Sequence, residues 1–291
     1  MRLANVNGRA MILTSEWSGV DVHAASSGRF GPAPGGIYDD WEHFVSWAAA
    51  VPGATGAGKL TATAFEPRDL HCPSPAARQV VAIGLNYSAH AAESGFGVPE
   101  RLPPTFTKFP SCLAGPFCEV ELPAGGHTDW EVELVVVISK TARRVPEDHA
   151  WDYVAGLSIG QDLSERVSQL DGPAPQFSLG KSFPCFGPVG PCLVTLDEVA
   201  DRDNLSLSCL VNGETVQEAT TKELLFPVPA LIARLSAILT LYPGDIIFTG
   251  TPAGVGQGRT PQWFLKPGDE LVSRIAGIGE IRQTFVAATE A

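Results

Sequence analysis

No two of the six cysteines have the CxxC spacing of a zinc ribbon or a redox motif, and no HxxxH accompanies them. Cys72, Cys112, Cys118, Cys185, Cys192 and Cys209 are therefore expected as buried, reduced thiols. The densest apolar run, LVVVI at 134–138, is far too short to span a bilayer. The amino-terminal MRLANVNGRAMILTS lacks the charged segment and long apolar stretch of an export signal. A cytoplasmic protein without a membrane partner is the expectation. Positive charge is scarce, with 20 Lys and Arg against 32 Asp and Glu and a net charge of −12, which argues against a nucleic-acid partner. Neither GxGxxG nor GxxxxGK[ST] occurs, so no nucleotide cradle is written in the chain. Internal repeats and low-complexity tracts are also missing.

What is present is a 291-residue chain, 44% apolar and 18% charged, with Gly 30 and Pro 24. That length buries a substantial core in one large domain or two unequal ones. The many turn formers favour strands over long helices. Residues 1–66 hold a hairpin candidate at Asn7-Gly8 and a helix candidate, DDWEHFVSWAAAV, started by Asp39 or Asp40. Residues 67–78, PRDLHCPSPAAR, have no periodicity and read as a linker. From Val80 onward strand-like runs recur, with a second Asn-Gly turn at 212–213. One helix, PVPALIARLSAILTLY, carries Leu231, Ile232, Leu235, Ile238 and Leu239 at helical spacing, a stripe expected to pack on a sheet.

Within DWEVELVVVISK, at 129–140, Glu131 and Glu133 lie two apart and so share one face of a strand. Such a pair repels itself unless water, a base or a cation intervenes. A solvated sheet face is the common explanation. A third acid, Asp162, follows the strand-like YVAGLSIGQ and could lie beside them, or could instead cap the helix SERVSQL. Three carboxylates without His or Cys suit a hard cation such as Mg²⁺, Mn²⁺ or Ca²⁺.

In GLNYSAHAAESG, at 84–95, a helix would place His90 and Glu93 on one face, as a general base with its orienting carboxylate or as an exposed helix pair. Arg166 and Gln169 follow Asp162 by four and seven residues and could fork onto a substrate carboxylate or face solvent. Lys181 stands among apolar and glycine neighbours, where it could stabilise an oxyanion or snorkel. PGDIIFTGTPAGVGQG, at 243–258, runs from a strand into a glycine-rich loop. There Thr249 and Thr251 could bind an oxygen anion, or the loop could merely turn a corner.

Seven segments in register, GLNYSAHAAESG, PTFTKFPSCLAGP, DWEVELVVVISK, GQDLSERVSQ, FSLGKSFPCFGPVGP, VNGETVQ and LYPGDIIFTGTPAGVGQG, resemble the fumarylacetoacetate hydrolase family over about residues 80–288. The resemblance implies a mainly β fold with some α. It would be the family's mixed β-roll or β-sandwich over residues 79–291, preceded by a small N-terminal α+β domain, and would form a homodimer. It implies that Glu131, Glu133 and Asp162 hold a divalent cation, usually Mg²⁺, with Mn²⁺ or Ca²⁺ as substitutes. His90 and Glu93 would be a water-activating dyad on a mobile lid, and Lys181 would stabilise developing negative charge. Tyr87, Arg166, Gln169 and Thr251 would face the substrate. The DxxxRxxQ spacing is similar to that of the family's diketone hydrolases.

The activity so implied is hydrolysis of a carbon–carbon bond in a 2,4-dioxo acid or related 1,3-dicarbonyl compound. Two alternatives use the same kind of site: decarboxylation of oxaloacetate and isomerisation of a hydroxymuconate-type diacid. A catalytically silent ligand-binding relative is the alternative outside enzymology.

Overall fold

The computed structural model describes residues 1–51, 61–93, 97 and 99–289. Residues 52–60 of the expected N-terminal domain, and Ser94 and Gly95 of the His90 motif, lie outside the described residues. Strand accounts for 35% of the chain and helix for 23%, in keeping with the β-rich expectation.

A 12-stranded sheet forms the frame. From one edge its order is Thr63–Ala64, Ser18–Asp21, Arg9–Ser15, Arg2–Val6, Gly187–Val194, Val154–Gln161, Val132–Ile138, Ile246–Phe248, Val80–Ile83 and Thr105–Thr107. Leu70–His71 and Leu113–Ala114 pair with Arg2–Val6 and Gly187–Val194 off this path. The two ends of the path remain apart, so the sheet does not close into a barrel. A second, five-stranded sheet runs Glu214–Thr220, Ser206–Val211, Glu270–Ile275, Gly279–Ala287 and Phe117–Leu122.

Both Asn-Gly turns form two-residue hairpins. Val6 pairs with Arg9 and Val211 with Glu214, and the turn residues take the positive φ that such hairpins require: 50° and 81° at Asn7 and Gly8, 50° and 82° at Asn212 and Gly213. The N-terminal strands continue the frame across the boundary expected near residue 66, since Leu3 pairs with Leu193. One core cluster joins Leu3, Ile12 and Phe44 to Val135, Val137, Ile246 and Phe248. The stretch expected as a linker is packed as well. Leu70 pairs with Val6, and Leu70, Cys72 and Ser74 are buried.

The expected helices are shorter than their sequence patterns. Trp41–Ala48 forms a helix with Asp40 at its N-cap position, but the Asp40 carboxylate bonds His43 instead of a backbone N–H. In the helix Val228–Ile238, Leu231, Ile232 and Leu235 are buried, whereas Ile238, at 68% exposure, is not. The helix ends at Ile238, and Leu239 already has extended backbone, so the stripe loses its last turn.

The strand Val132–Ile138 is buried on both faces, which is why its sequence reads as an unbroken apolar run. Val132, Leu134, Val136 and Ile138 enter the larger core cluster. Val135 and Val137 enter the other one, and Glu131 and Glu133 continue that second face at the strand's start.

Candidate active site

Two strand ends meet where the carboxylates lie. Asp162 donates its backbone N–H to the carbonyl of Glu131 at 2.9 Å, and the Glu131 N–H is held by the Gln161 side-chain oxygen at 2.9 Å. Ligand oxygens of Glu131, Glu133 and Asp162 thereby fall within 4.8 Å of one another. All three side chains are buried, which removes the solvated-face reading. Asp162 is not a helix cap either. Glu165 caps the helix Arg166–Leu170, accepting from the N–H groups of Val167 and Ser168 at 3.0 and 2.7 Å.

Three buried cations answer these acids. Lys181 Nζ donates to Glu131 Oε2 at 2.8 Å, Asp162 Oδ2 at 2.7 Å and Ser164 Oγ at 2.8 Å, which uses all three ammonium protons. Lys108 Nζ donates to Asp162 Oδ1 at 2.7 Å and to the carbonyl of Lys181. Arg166 Nη2 donates to Glu131 Oε1 at 2.7 Å. It also lies 2.6 Å from Asp129 Oδ1, an ion pair without hydrogen-bond alignment, because that oxygen has no hydrogen-bond partner. Arg166 Nη1 donates to Gln169 Oε1 at 2.8 Å, while Arg166 Nε is buried without a partner. Arg166 and Gln169 thus face the interior, and the solvated helix face is excluded.

The electrostatics separate the two glutamates. Burial opposes ionisation of Glu131, but the charges of Lys181 and Arg166 outweigh it and hold its carboxyl well below the usual range. Burial, then the charges of Asp162 and Glu131, push Glu133 well above that range. Glu133 accepts the N–H of Gly250 at 2.6 Å and forms no salt bridge among the described residues, the more distant charge of Lys181 only partly offsetting the rise. Asp129, Glu131, Glu133 and Asp162 outnumber Lys108, Arg166 and Lys181 by one. A carboxylate set with one uncompensated member and no His or Cys fits a hard divalent cation.

The glycine-rich loop after Ile246–Phe248 closes one wall. Pairing with that strand covers only Val135–Val137. Beyond it the Leu134 carbonyl accepts both the N–H of Thr249, at 3.1 Å, and its Oγ1, at 2.9 Å, and the Val132 carbonyl accepts from Thr251 Oγ1 at 2.9 Å. Thr251 also accepts from Gln217 Nε2 at 2.8 Å. Its hydroxyl is thereby engaged inside the fold, and the loop residues that line the cavity are Val255, Gln257 and Gly258. Tyr87 is buried close to Glu133 and does not line that cavity. Its phenol is pushed up by burial, then by Glu133 and Glu223.

His90 and Glu93 do share a face, on the helix Ser88–Glu93. His90 Nδ1 is 2.9 Å from Glu93 Oε1, and His90 is buried, so the exposed-pair reading fails. A cavity of about 380 Å³ is lined at once by His90, Glu93, Glu131, Arg166, Gln169 and Lys181. Because Nδ1 is engaged by Glu93, Nε2 is the nitrogen left for chemistry in that cavity.

Lys108 and Asp129 belong to the site but were not singled out by sequence. Lys108 offered one signal, a lysine between Phe106 and Phe109 in an otherwise apolar and polar-neutral segment. Asp129 offered none beyond its place two residues before Glu131.

The family model described as fumarylacetoacetate (FAA) hydrolase C-terminal matches residues 79–286. A crystal structure of a Mycobacterium smegmatis protein provisionally named HpcE superposes with a TM-score of 0.91 at 52% identity, covering 99% of this chain and 100% of that one. Maleylpyruvate hydrolase from Sphingobium sp. SYK-6, solved with manganese(II) and pyruvate, superposes with a TM-score of 0.81 at 30% identity over 99% and 100% of the two chains. The human protein named oxaloacetate tautomerase FAHD2A, mitochondrial, is 46% identical over 204 residues, 70% of this chain. The match spans 65% of that human protein's length.

Proposed function

The chain belongs to the fumarylacetoacetate hydrolase family, and on that premise we propose that it hydrolyses a carbon–carbon bond in a 2,4-dioxo acid of the acylpyruvate type, with a divalent cation. The observation that carries this reading is the single cavity shared by the His90–Glu93 pair and Glu131 of the acidic cluster. Glu131, Glu133 and Asp162 would hold Mg²⁺, or the Mn²⁺ found in the maleylpyruvate hydrolase structure. When bound, such an ion supplies Lewis acidity toward carbonyl oxygens.

The chain's own groups then have distinct tasks. Arg166 Nε, buried and unpartnered, with Gln169 beside it, binds the acid end of the substrate. His90 Nε2 takes a proton from water as the water attacks the distal carbonyl, and Glu93 on Nδ1 fixes the tautomer and steadies the imidazolium. Lys181, its protons already committed, contributes fixed positive charge rather than a direct hydrogen bond to the developing oxyanion. When the carbon–carbon bond breaks, the imidazolium returns its proton to the departing carbon.

A second reading, proton transfer between carbon and oxygen without attack by water, is favoured by the 46% identity to the human oxaloacetate tautomerase. The two separate in one experiment. Purified protein with Mg²⁺ or Mn²⁺ is given acylpyruvates, fumarylpyruvate and oxaloacetate, with diketone absorbance and product masses followed together. Pyruvate plus a carboxylic acid is the expected result. An absorbance change at constant mass would replace hydrolysis by tautomerisation or isomerisation, and pyruvate with CO₂ from oxaloacetate would replace it by decarboxylation. Inertness throughout would leave a silent ligand-binding relative.

The same reading includes a cytoplasmic homodimer. Six free cysteines suit a reducing compartment. No helix among the described residues is long and apolar enough to cross a membrane. The exposed apolar side chains Phe109, Val167, Leu170 and Leu179 sit on or beside two short helices, as a self-association surface would have them.

A further inference from the structure

Arg259, half-buried at the end of the glycine-rich loop, does not line the cavity and makes no salt bridge among the described residues. Its guanidinium is shared instead between backbone carbonyls and aromatic rings. Nη2 donates to the carbonyl of Val216 at 2.9 Å, and Nε, the longer arm of the fork, to that of Gly254 at 3.3 Å. The cation lies 5.4 Å from the ring centre of Trp263 and 5.9 Å from that of Trp130, and these two indoles meet edge to face. Ring faces and carbonyl dipoles thus stand in for a counter-ion.

Both carbonyls are on offer for reasons of backbone. Cys209 pairs with Gln217 and Leu210 with Thr215, so Val216 is the extra residue of a bulge and has no partner in the adjacent strand Ser206–Val211. Gly254, at φ +106°, sends its carbonyl toward Trp130 and Arg259, and Trp130 Nε1 donates to it at 3.1 Å. Trp130 stands between Asp129 and Glu131 in the chain. Arg259 therefore ties the loop to the edge strand Glu214–Thr220, and Trp130 ties the same carbonyl to the strand that carries the acidic cluster.

The other side of Gly254 faces the His90–Glu93 pair. Its N–H goes to both carboxylate oxygens of Glu93, and a Cβ added to Gly258 would stand 2.9 Å from the Glu93 carboxyl carbon. The loop so held is a cradle fitted to Glu93, and Glu93 in turn holds His90 Nδ1.

Resting on the reading of His90 as the base, we infer that Arg259 is a positioning residue for the His90–Glu93 pair: by bridging the Val216 and Gly254 carbonyls it fixes the loop N–H that orients Glu93. A guanidinium spans two acceptors from one rigid plane, which an ammonium on a flexible stem does not. Because Arg259 stays clear of the cavity, its loss should weaken proton transfer more than substrate binding.

Long-range proton–nitrogen NMR spectra of the full chain with Mg²⁺, taken with the ring neutral, read the tautomer of His90, and His90→Gln identifies its signals. The wild type should hold the proton on Nδ1. Arg259→Leu should mix the Nδ1 and Nε2 forms and lower kcat about tenfold, with KM changed by less than about twofold and the metal-induced thermal shift retained. Arg259→Lys keeps the charge over the rings without spanning both carbonyls. It should fall between the two in both readings, and it decides the matter if the leucine variant does not fold. A wild-type tautomer in either folded variant overturns the inference, whether or not kcat has fallen, and leaves the proposed function standing. A wild type that turns over no dicarbonyl acid, yet whose His90 tautomer is loosened by these substitutions, overturns the proposed function and leaves the hold of Arg259 on the pair in place.

Discussion

Glu93 takes the backbone N–H of Gly254 on both of its carboxylate oxygens, at 3.1 and 3.0 Å, while its Oε1 also holds His90. The His90 ring is thus positioned, through Glu93, by the glycine-rich loop 161 residues away in sequence. Gly254 has φ +106°, and a Cβ there would collide with the carbonyl of Val216. Gly254→Ala is expected to shift the loop, release Glu93 and lower kcat by about 10²-fold or more. Stabilisation by added Mn²⁺ should survive, because the acidic cluster lies on other elements. Steady-state kinetics and a metal-induced thermal shift on the same sample check both halves.

The two glutamates of the ExE pair should respond in opposite directions. Glu131→Gln strips partners from Lys181 and Arg166, and breaking a buried ion-pair set costs about 3 kcal/mol or more. Glu133→Gln removes the one carboxylate of the three that no salt bridge compensates, yet its amide oxygen can still accept from Gly250. With a chelator present it should stabilise the protein by about 1 kcal/mol. Both substitutions should abolish metal-induced stabilisation. Urea denaturation with and without metal reads all four values, and equal losses from both variants would contradict the charge assignment.

His90→Gln keeps a side chain of similar reach but removes the base. Hydrolysis should fall by about 10²–10⁴-fold while the metal-induced thermal shift is retained. Exchange of solvent deuterium into a bound 2-oxo acid offers an independent reading of whether carbon acidity outlasts the loss of water activation.

Cys185 should be the reactive thiol. A hydrogen bond from Cys118 brings its pKa down to about 7 against the opposing effect of partial burial, whereas burial pushes Cys72 and Cys209 up to about 12. Since the thiolate is the nucleophile, alkylation should rise as pH passes 7 and level off above it. Iodoacetamide labelling with peptide mass mapping would refute this if Cys118 were labelled first or if the rate were still climbing steeply at pH 9.

Leu3 is fully buried in a strand paired to Gly187–Val194. If the N-terminal strands share one cooperative unit with the catalytic strands, Leu3→Ala should cost about 2–5 kcal/mol and leave a single unfolding transition. Two resolved transitions, with only the first shifted, would show an independent N-terminal unit.

The sequence by itself determined what depends on neighbours within a few residues. Alternation placed Glu131 and Glu133 on one face, helical spacing paired His90 with Glu93, and Asn-Gly set both hairpins. Seven ordered segments were enough to identify the family and its acidic triad. Tertiary structure decided what depends on pairings between distant parts of the chain. Lys108 meets Asp162 across 54 residues and the carbonyl of Lys181 across 73, contacts for which local periodicity holds no signal. Thr251 gives its hydroxyl proton to the Val132 carbonyl, which the short pairing of Ile246–Phe248 leaves in need of a donor. Arg166 looked like a whole fork for a substrate carboxylate, but Asp129, Glu131 and Gln169 occupy most of it and leave Nε. In each case burial forced a polar group to find a partner, and only the folded chain shows which partner lay within reach.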